Sequence, residues 1–94
     1  MRRKLTDDEI AAALATLGGW QRAGDALRRT FTFPSFMDGI AFVNRVAEAA
    51  EAADHHPDID VRYTRVTCAL STHDAGGITE ADVKLAARIN ELAE

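Results

Sequence analysis

Apolar residues near the start of the chain recur at helical spacing. Ile10, Leu14 and Leu17 share one face of a 3.6-residue period. Thr6-Asp7-Asp8-Glu9 stands before them as a capping box: the Thr6 hydroxyl can accept from the Glu9 amide, and the Glu9 carboxylate can reach back. Leu5 and Ile10 flank the cap as a hydrophobic staple. The pattern predicts a helix over 7–17, ended by Gly18-Gly19. Trp20–Ala23 is a short strand candidate and Gly24-Asp25 a turn. From Leu27 to Phe33 the odd positions Leu27, Phe31 and Phe33 are apolar, with Arg29 the exception. Period two predicts a half-buried strand paired back on the first as a hairpin.

Pro34-Ser35 opens a second helix, with Phe36, Ile40, Val43, Ala47 and Ala50 in one stripe, widened by Phe42, Val46 and Ala49. Pro57 ends it, because the residue before a proline is pushed out of the α region, so the helix stops near Asp54 or His55. Ile59, Val61 and Tyr63 alternate with polar residues as a third strand, and Val66, Cys68, Leu70 and Thr72 form a fourth. No strong turn signal separates them. Gly76-Gly77 turns the chain into a second cap sequence, Thr79-Glu80-Ala81-Asp82. In the third helix Val83, Ala86, Ala87 and Asn90 lie on one flank, with Leu85, Ile89 and Leu92 on the other. The order α-β-β-α-β-β-α predicts an α+β two-layer sandwich: a four-stranded antiparallel sheet with three helices on one face. Its mixed outer face is free to be solvated or to meet a partner.

Ninety-four residues set the expectation of a single domain over 1–94, with a thin core. The net charge of −4 argues against direct binding to nucleic acid, which favours a basic surface. Arg2, Arg3 and Lys4 form the only basic cluster, too short for a binding arm and expected to be a solvated terminus. Cys68 has no partner for a disulfide and falls in a strand, where a buried thiol is expected. No apolar run approaches the ~20 residues of a membrane span, and no apolar h-region follows the basic start. These features set the expectation of a soluble, cytoplasmic protein without membrane contact.

All the histidines fall in two words, His55-His56-Pro57 and Thr72-His73-Asp74, the second running into Gly76-Gly77-Ile78-Thr79. Imidazole both gives and takes a proton near neutral pH, so this distribution points to one acid–base site. The competing reading is three exposed surface imidazoles, one pair of them favoured by a helix C-terminus. A zinc site is disfavoured: His55 and His56 are adjacent, neighbouring side chains diverge in an extended segment, and the spacing of helix- or strand-borne zinc ligands is absent.

Glu51 followed by His55-His56-Pro57, then Tyr63, Val66 and Leu70, then Thr72 through Thr79 with Asp82, resembles the pterin-4a-carbinolamine dehydratases. The likeness is close over the second half of the chain. The first half agrees in element order, in Trp20 and in the Phe31–Pro34 segment. The resemblance implies a hydro-lyase acting on 4a-hydroxytetrahydropterins such as 4a-hydroxytetrahydrobiopterin, giving quinonoid dihydropterin and water. It implies recycling of pterin for aromatic amino-acid hydroxylases, phenylalanine hydroxylase among them. No metal and no bound cofactor are expected, the pterin being the substrate, and a homodimer or homotetramer is implied. Animal members also act as dimerisation cofactors of a homeodomain transcription factor, and some dehydratase-like proteins are assembly or accessory factors. A non-catalytic accessory role is therefore the alternative, which the complete histidine set disfavours.

Losing hydroxide from C4a needs a proton on that oxygen, and N5 must give one up; both are general acid–base steps. His55, one helical turn after Glu51, is the expected general acid with Glu51 as its partner. His73 is the expected base or second proton carrier, and His56, next to Pro57, is expected to bind and orient the pterin. His55, His56, Pro57, Thr72, His73, Asp74, Ala75 and Asp82 are expected to line the pocket. Asp82 also suits capping of the third helix, and Gly76 and Gly77 suit turn geometry. Some family members carry an aromatic residue where this chain has Ile59, and an asparagine where it has Asp54 beside the histidines.

Overall fold

The computed structural model describes residues 2–94. Thr6 and Glu9 close their capping box, and α1 runs Asp7–Thr16 with Leu17 as its C-cap. β1 (Gln21–Ala23) and β2 (Ala26–Thr32) form the first hairpin. Ser35 caps α2 (Phe36–Ala53) through the Asp38 amide. β3 (Asp58–Arg62) and β4 (Arg65–Leu70) form the second hairpin. A short 3-10 turn, His73–Ala75, leads to α3 (Glu80–Leu92). The predicted order α-β-β-α-β-β-α is the observed one.

The strands lie in the order β1-β2-β4-β3, all antiparallel. The two hairpins are joined by the central β2–β4 pairing, which sets Leu27 opposite Leu70 and Phe31 opposite Val66. Leu27, Phe31, Val66, Cys68 and Leu70 point to the helices and are buried, while Arg28, Thr30 and Thr32 between them are exposed. On the outer face the hydroxyls of the opposed Thr30 and Thr67 lie 2.8 Å apart. Phe42 of α2 sits between Phe31 and Phe33, each ring centroid 4.9 Å away.

Of the expected α2 stripe, Phe42, Val46 and Ala50 are buried together with Gly39, whereas Phe36 and Ala47 are exposed. Phe42 wins the core because the sheet presents two phenylalanine rings there. Ala87 of α3 likewise faces solvent. Arg29, the polar intruder on the inward side of β2, lies at the margin of the core. Its guanidinium sits 4.3 Å from the Phe31 ring centroid and donates to the Gly18 carbonyl and to Asn90. That guanidinium fills the space a side chain at Gly19 would need, and Gly19 itself has φ +85°. The basic start of the chain is fastened more than its composition suggests. Arg3 forms a bidentate pair with Glu9, 2.7 Å at both contacts, and the Leu5 amide donates to the Ile78 carbonyl.

The unmarked boundary between the third and fourth strands closes in two residues, because Arg62 pairs with Arg65 and Tyr63 takes a left-handed φ of 52°.

Candidate active site

Helix α2 ends in a way that separates the adjacent histidines. Asp54 adopts a left-handed conformation, φ 49° and ψ 44°, and the His55 amide donates back to the Ala50 carbonyl at 3.1 Å. The chain leaves the helix turned by this cap, with Pro57 leading into β3 at Asp58. His55 is driven inward and is 6% exposed; His56 is thrown outward. Asp54 itself is exposed and no side-chain hydrogen bond joins it to a histidine among the described residues.

Glu51 does not meet His55. Its Oε1 accepts from Nε2 of His56 at 2.6 Å, five residues along. The expected one-turn pairing assumed that the helix continues through His55, and the left-handed cap at Asp54 ends it first. His55 instead donates from Nε2 to Oδ1 of Asp82 at 2.5 Å, and its Nδ1 lies 3.3 Å from Nη1 of Arg2. Asp82 is fully buried, and its Oδ2 accepts from the Thr72 hydroxyl at 2.8 Å and the Thr79 amide at 2.9 Å.

On the second word, Thr72 is buried and bridges to Gly77. Its carbonyl accepts from the amides of Ala75 and Gly77. Gly76 takes φ +75° at the end of the 3-10 turn, which closes the loop and leaves His73 exposed at its start. Gly76 and Gly77 thus serve turn geometry.

His56 and His73 line one small cleft of about 30 Å3 with Ala26, Asp58, Ala69, Leu70 and Ser71, at the end of the sheet away from the β3–β4 turn. Of the residues expected to line the pocket, only His56 and His73 reach this cleft. His55, Thr72 and Asp82 are buried, and they and Pro57, Asp74 and Ala75 lie outside its lining. Asp58 and Ser71 were not singled out by sequence. Ser71 directly follows β4 and Asp58 opens β3, and the antiparallel pairing of these two strands, Asp58 opposite Ala69, brings them together; no motif in the sequence marks either residue.

A larger groove of about 840 Å3 runs between α2 and α3, with Arg2, Arg45, Lys84 and Arg88 about a floor that includes Ala49, Ala53 and Leu85. It holds only His55 of the three histidines. Size alone would favour it. Acid–base chemistry needs accessible imidazoles, and two of them meet at the smaller cleft. Among the described residues no three His, Cys, Asp or Glu side chains are grouped so as to hold a metal ion.

Residues 3–92 match the family model described as Pterin 4 alpha carbinolamine dehydratase. A protein of Mycobacterium avium (strain 104), provisionally named pterin-4-alpha-carbinolamine dehydratase, is 62% identical over 88 residues, 94% of each chain. One of Thermomicrobium roseum with the same provisional name is 57% identical over 96% of this chain and 97% of its own length. The crystal structure of a transcriptional coactivator/pterin dehydratase from Brucella melitensis aligns with a TM-score of 0.94 at 38% identity, covering 98% of this chain and all of that one. A pterin dehydratase-like protein identified as a RuBisCO assembly factor in the alpha-carboxysome aligns at 0.69, with 31% identity over 80% of this chain and 89% of that one.

Proposed function

Because the chain belongs to the pterin-4-alpha-carbinolamine dehydratase family, we propose that it dehydrates a 4a-hydroxytetrahydropterin, such as 4a-hydroxytetrahydrobiopterin, at the sheet-end cleft. The observation that carries the reading is the pair of accessible imidazoles there, one of them already oriented by a carboxylate.

Glu51 accepts from Nε2 of His56, so Nε2 carries the hydrogen and Nδ1 presents a lone pair. In this reading Nδ1 takes the N5 proton, and Glu51 offsets the charge that develops on the ring, as the carboxylate does in a catalytic triad. His73 delivers a proton to the C4a oxygen. The C4a–O bond breaks, water leaves, and the N5 electrons form the new N5=C4a bond, so one proton is taken and one is given. His55 replaces neither partner, because its Nε2 is taken by the buried Asp82 and its Nδ1 lies against Arg2 in the groove between α2 and α3, away from the cleft. In this reading the acid role first expected of His55 passes to His73, and His56, first expected to bind and orient the pterin, is the base. Asp58 and Ser71 are placed for the polar edge of the pterin. The reaction needs no metal or bound cofactor.

Recycling of pterin oxidised by an aromatic amino-acid hydroxylase is the proposed context. Self-association is part of the reading: β1 and β3 are open sheet edges, and Phe36, Met37 and Tyr63 are exposed. Light scattering at micromolar concentration is expected to give a dimer or tetramer; a monomer would refute this part.

The deciding experiment is stopped-flow measurement of 4a-hydroxytetrahydropterin breakdown with and without the protein, repeated with EDTA. Acceleration insensitive to EDTA is expected. A folded protein giving only the spontaneous rate would favour the second reading, a non-catalytic accessory role, which the names of two structural neighbours support.

A further inference from the structure

The two capping boxes of this fold use the same arrangement differently. In α1, Glu9 caps Thr6 at the surface and spends its remaining capacity on the solvated Arg3. In α3, Asp82 caps Thr79 with Oδ2, but it is fully buried and makes two further bonds that capping does not require. One goes to His55, the residue before His56. The other comes from Thr72, the residue before His73. We propose that Asp82 is a positioning residue that anchors both histidine words to one buried carboxylate, holding His56 and His73 in register across the cleft.

The proton directions are fixed by counting. The Thr72 hydroxyl has one hydrogen, given to Oδ2 of Asp82. In its 2.8 Å contact with Thr79, therefore, Thr79 is the donor, and Thr79 Oγ1 accepts from the Ala81 amide at 3.3 Å. His55 must carry its hydrogen on Nε2, facing Oδ1. Thr72, Thr79 and Asp82 are at most 1% exposed, and no buried side-chain polar atom among the described residues lacks a partner. Such a closed network has one arrangement of donors and acceptors, and it tolerates no loss of a member without leaving a buried group unpaired. The Thr72–Gly77 bridge passes the fixed position of Thr72 to the loop that begins with His73. On the other side the αL cap at Asp54 and the rigid Pro57 bracket His55 and His56.

The inference deepens the dehydratase reading and rests on it wherever activity is the readout. The test compares Thr72→Val, which keeps shape and removes the hydroxyl, with Thr72→Ser, which restores it. Stopped-flow kinetics should show kcat reduced about 10-fold or more in the valine variant, as for other small misplacements of catalytic groups. Its KM should change less, and the serine variant should stay within about 3-fold of the parent. Imidazole NMR of the free protein gives a readout without pterin. The His56 signals should move in Thr72→Val although His56 lies on the other word, and return in Thr72→Ser. A folded valine variant with unmoved His56 signals overturns the anchor, as does parental kcat in an active enzyme. Should Thr72→Val fail to fold, Asp82→Asn serves: its amide cannot accept at both positions, so either His55 must give up its Nε2 hydrogen or the Thr72 hydroxyl and the Thr79 amide must lose their acceptor. An unchanged His55 ring with unmoved His56 and His73 signals there also overturns the proposal. If the parent protein itself gives only the spontaneous rate, the dehydratase reading falls, and the NMR comparison alone decides the anchor.

Discussion

Glu51 and the two histidines that follow it show how one backbone torsion reassigns side chains. Helical arithmetic places residues 51 and 55 on one face, and it holds only while the helix lasts. The left-handed Asp54 ends α2 and hands the carboxylate to His56. The histidines and the carboxylate of the candidate site stood out in sequence; which carboxylate meets which histidine did not, because no glycine marks the cap that turns the chain. Glu51→Gln should therefore move the NMR signals of the His56 ring and leave those of His55, and it should lower kcat about 10-fold or more if His56 is the base. Movement of His55 alone would restore the one-turn pairing. Cys68 is the opposite case, fully readable from its place on the inward side of a strand. Burial pushes its thiol up to about 11, so thiolate is scarce at pH 8 and the sulfur is enclosed. Iodoacetamide at that pH should leave the native protein unmodified and label it fully in denaturant.

Elements with explicit end signals were the easiest to place. Both capping boxes formed where Thr-x-x-acid stood before an apolar run. The unsignalled β3–β4 turn was hard to bound because it rests on a left-handed tyrosine. Within the α2 stripe Phe36 and Phe42 suit a core equally by composition, and only the facing Phe31 and Phe33 decide between them. For α1, Thr6→Ala should cost about 1 kcal/mol in denaturant unfolding. Glu9 gives this helix a pH signature. The hydrogen bond from Arg3, followed by that from the Thr6 backbone, lowers its pKa from 4.5 to about 2. A depressed carboxyl contributes stability above its ordinary value and loses that contribution as pH falls through the folded value. Thermal unfolding followed between pH 5 and 2 should thus decline less steeply in Glu9→Gln. Because the pair is exposed, added salt should shrink the difference.

For the whole molecule, the element order implied the layers, but the strand order β1-β2-β4-β3 required the fold itself. Two hairpins can meet along either pair of edges without altering the hydrophobic pattern of any strand. The chosen edge lets Phe42 meet the aromatic side chains of β2 and the segment after it, and Phe42 is fully buried. Phe42→Ala should cost about 3–5 kcal/mol, a large share of the ~5–15 kcal/mol that domains possess. Urea unfolding should show the midpoint falling, with the slope retained if folding remains two-state. Trp20 offers a way to watch this happen. It is the chain's single tryptophan, 5% exposed, with Nε1 bonded to Asn90 of α3 at 2.7 Å and its ring edge-on to Phe31 of β2. Its fluorescence therefore has one source, located where the last helix closes over the sheet. The indole emission should shift to longer wavelength when that closure opens, giving an unlabelled optical signal for the docking of α3.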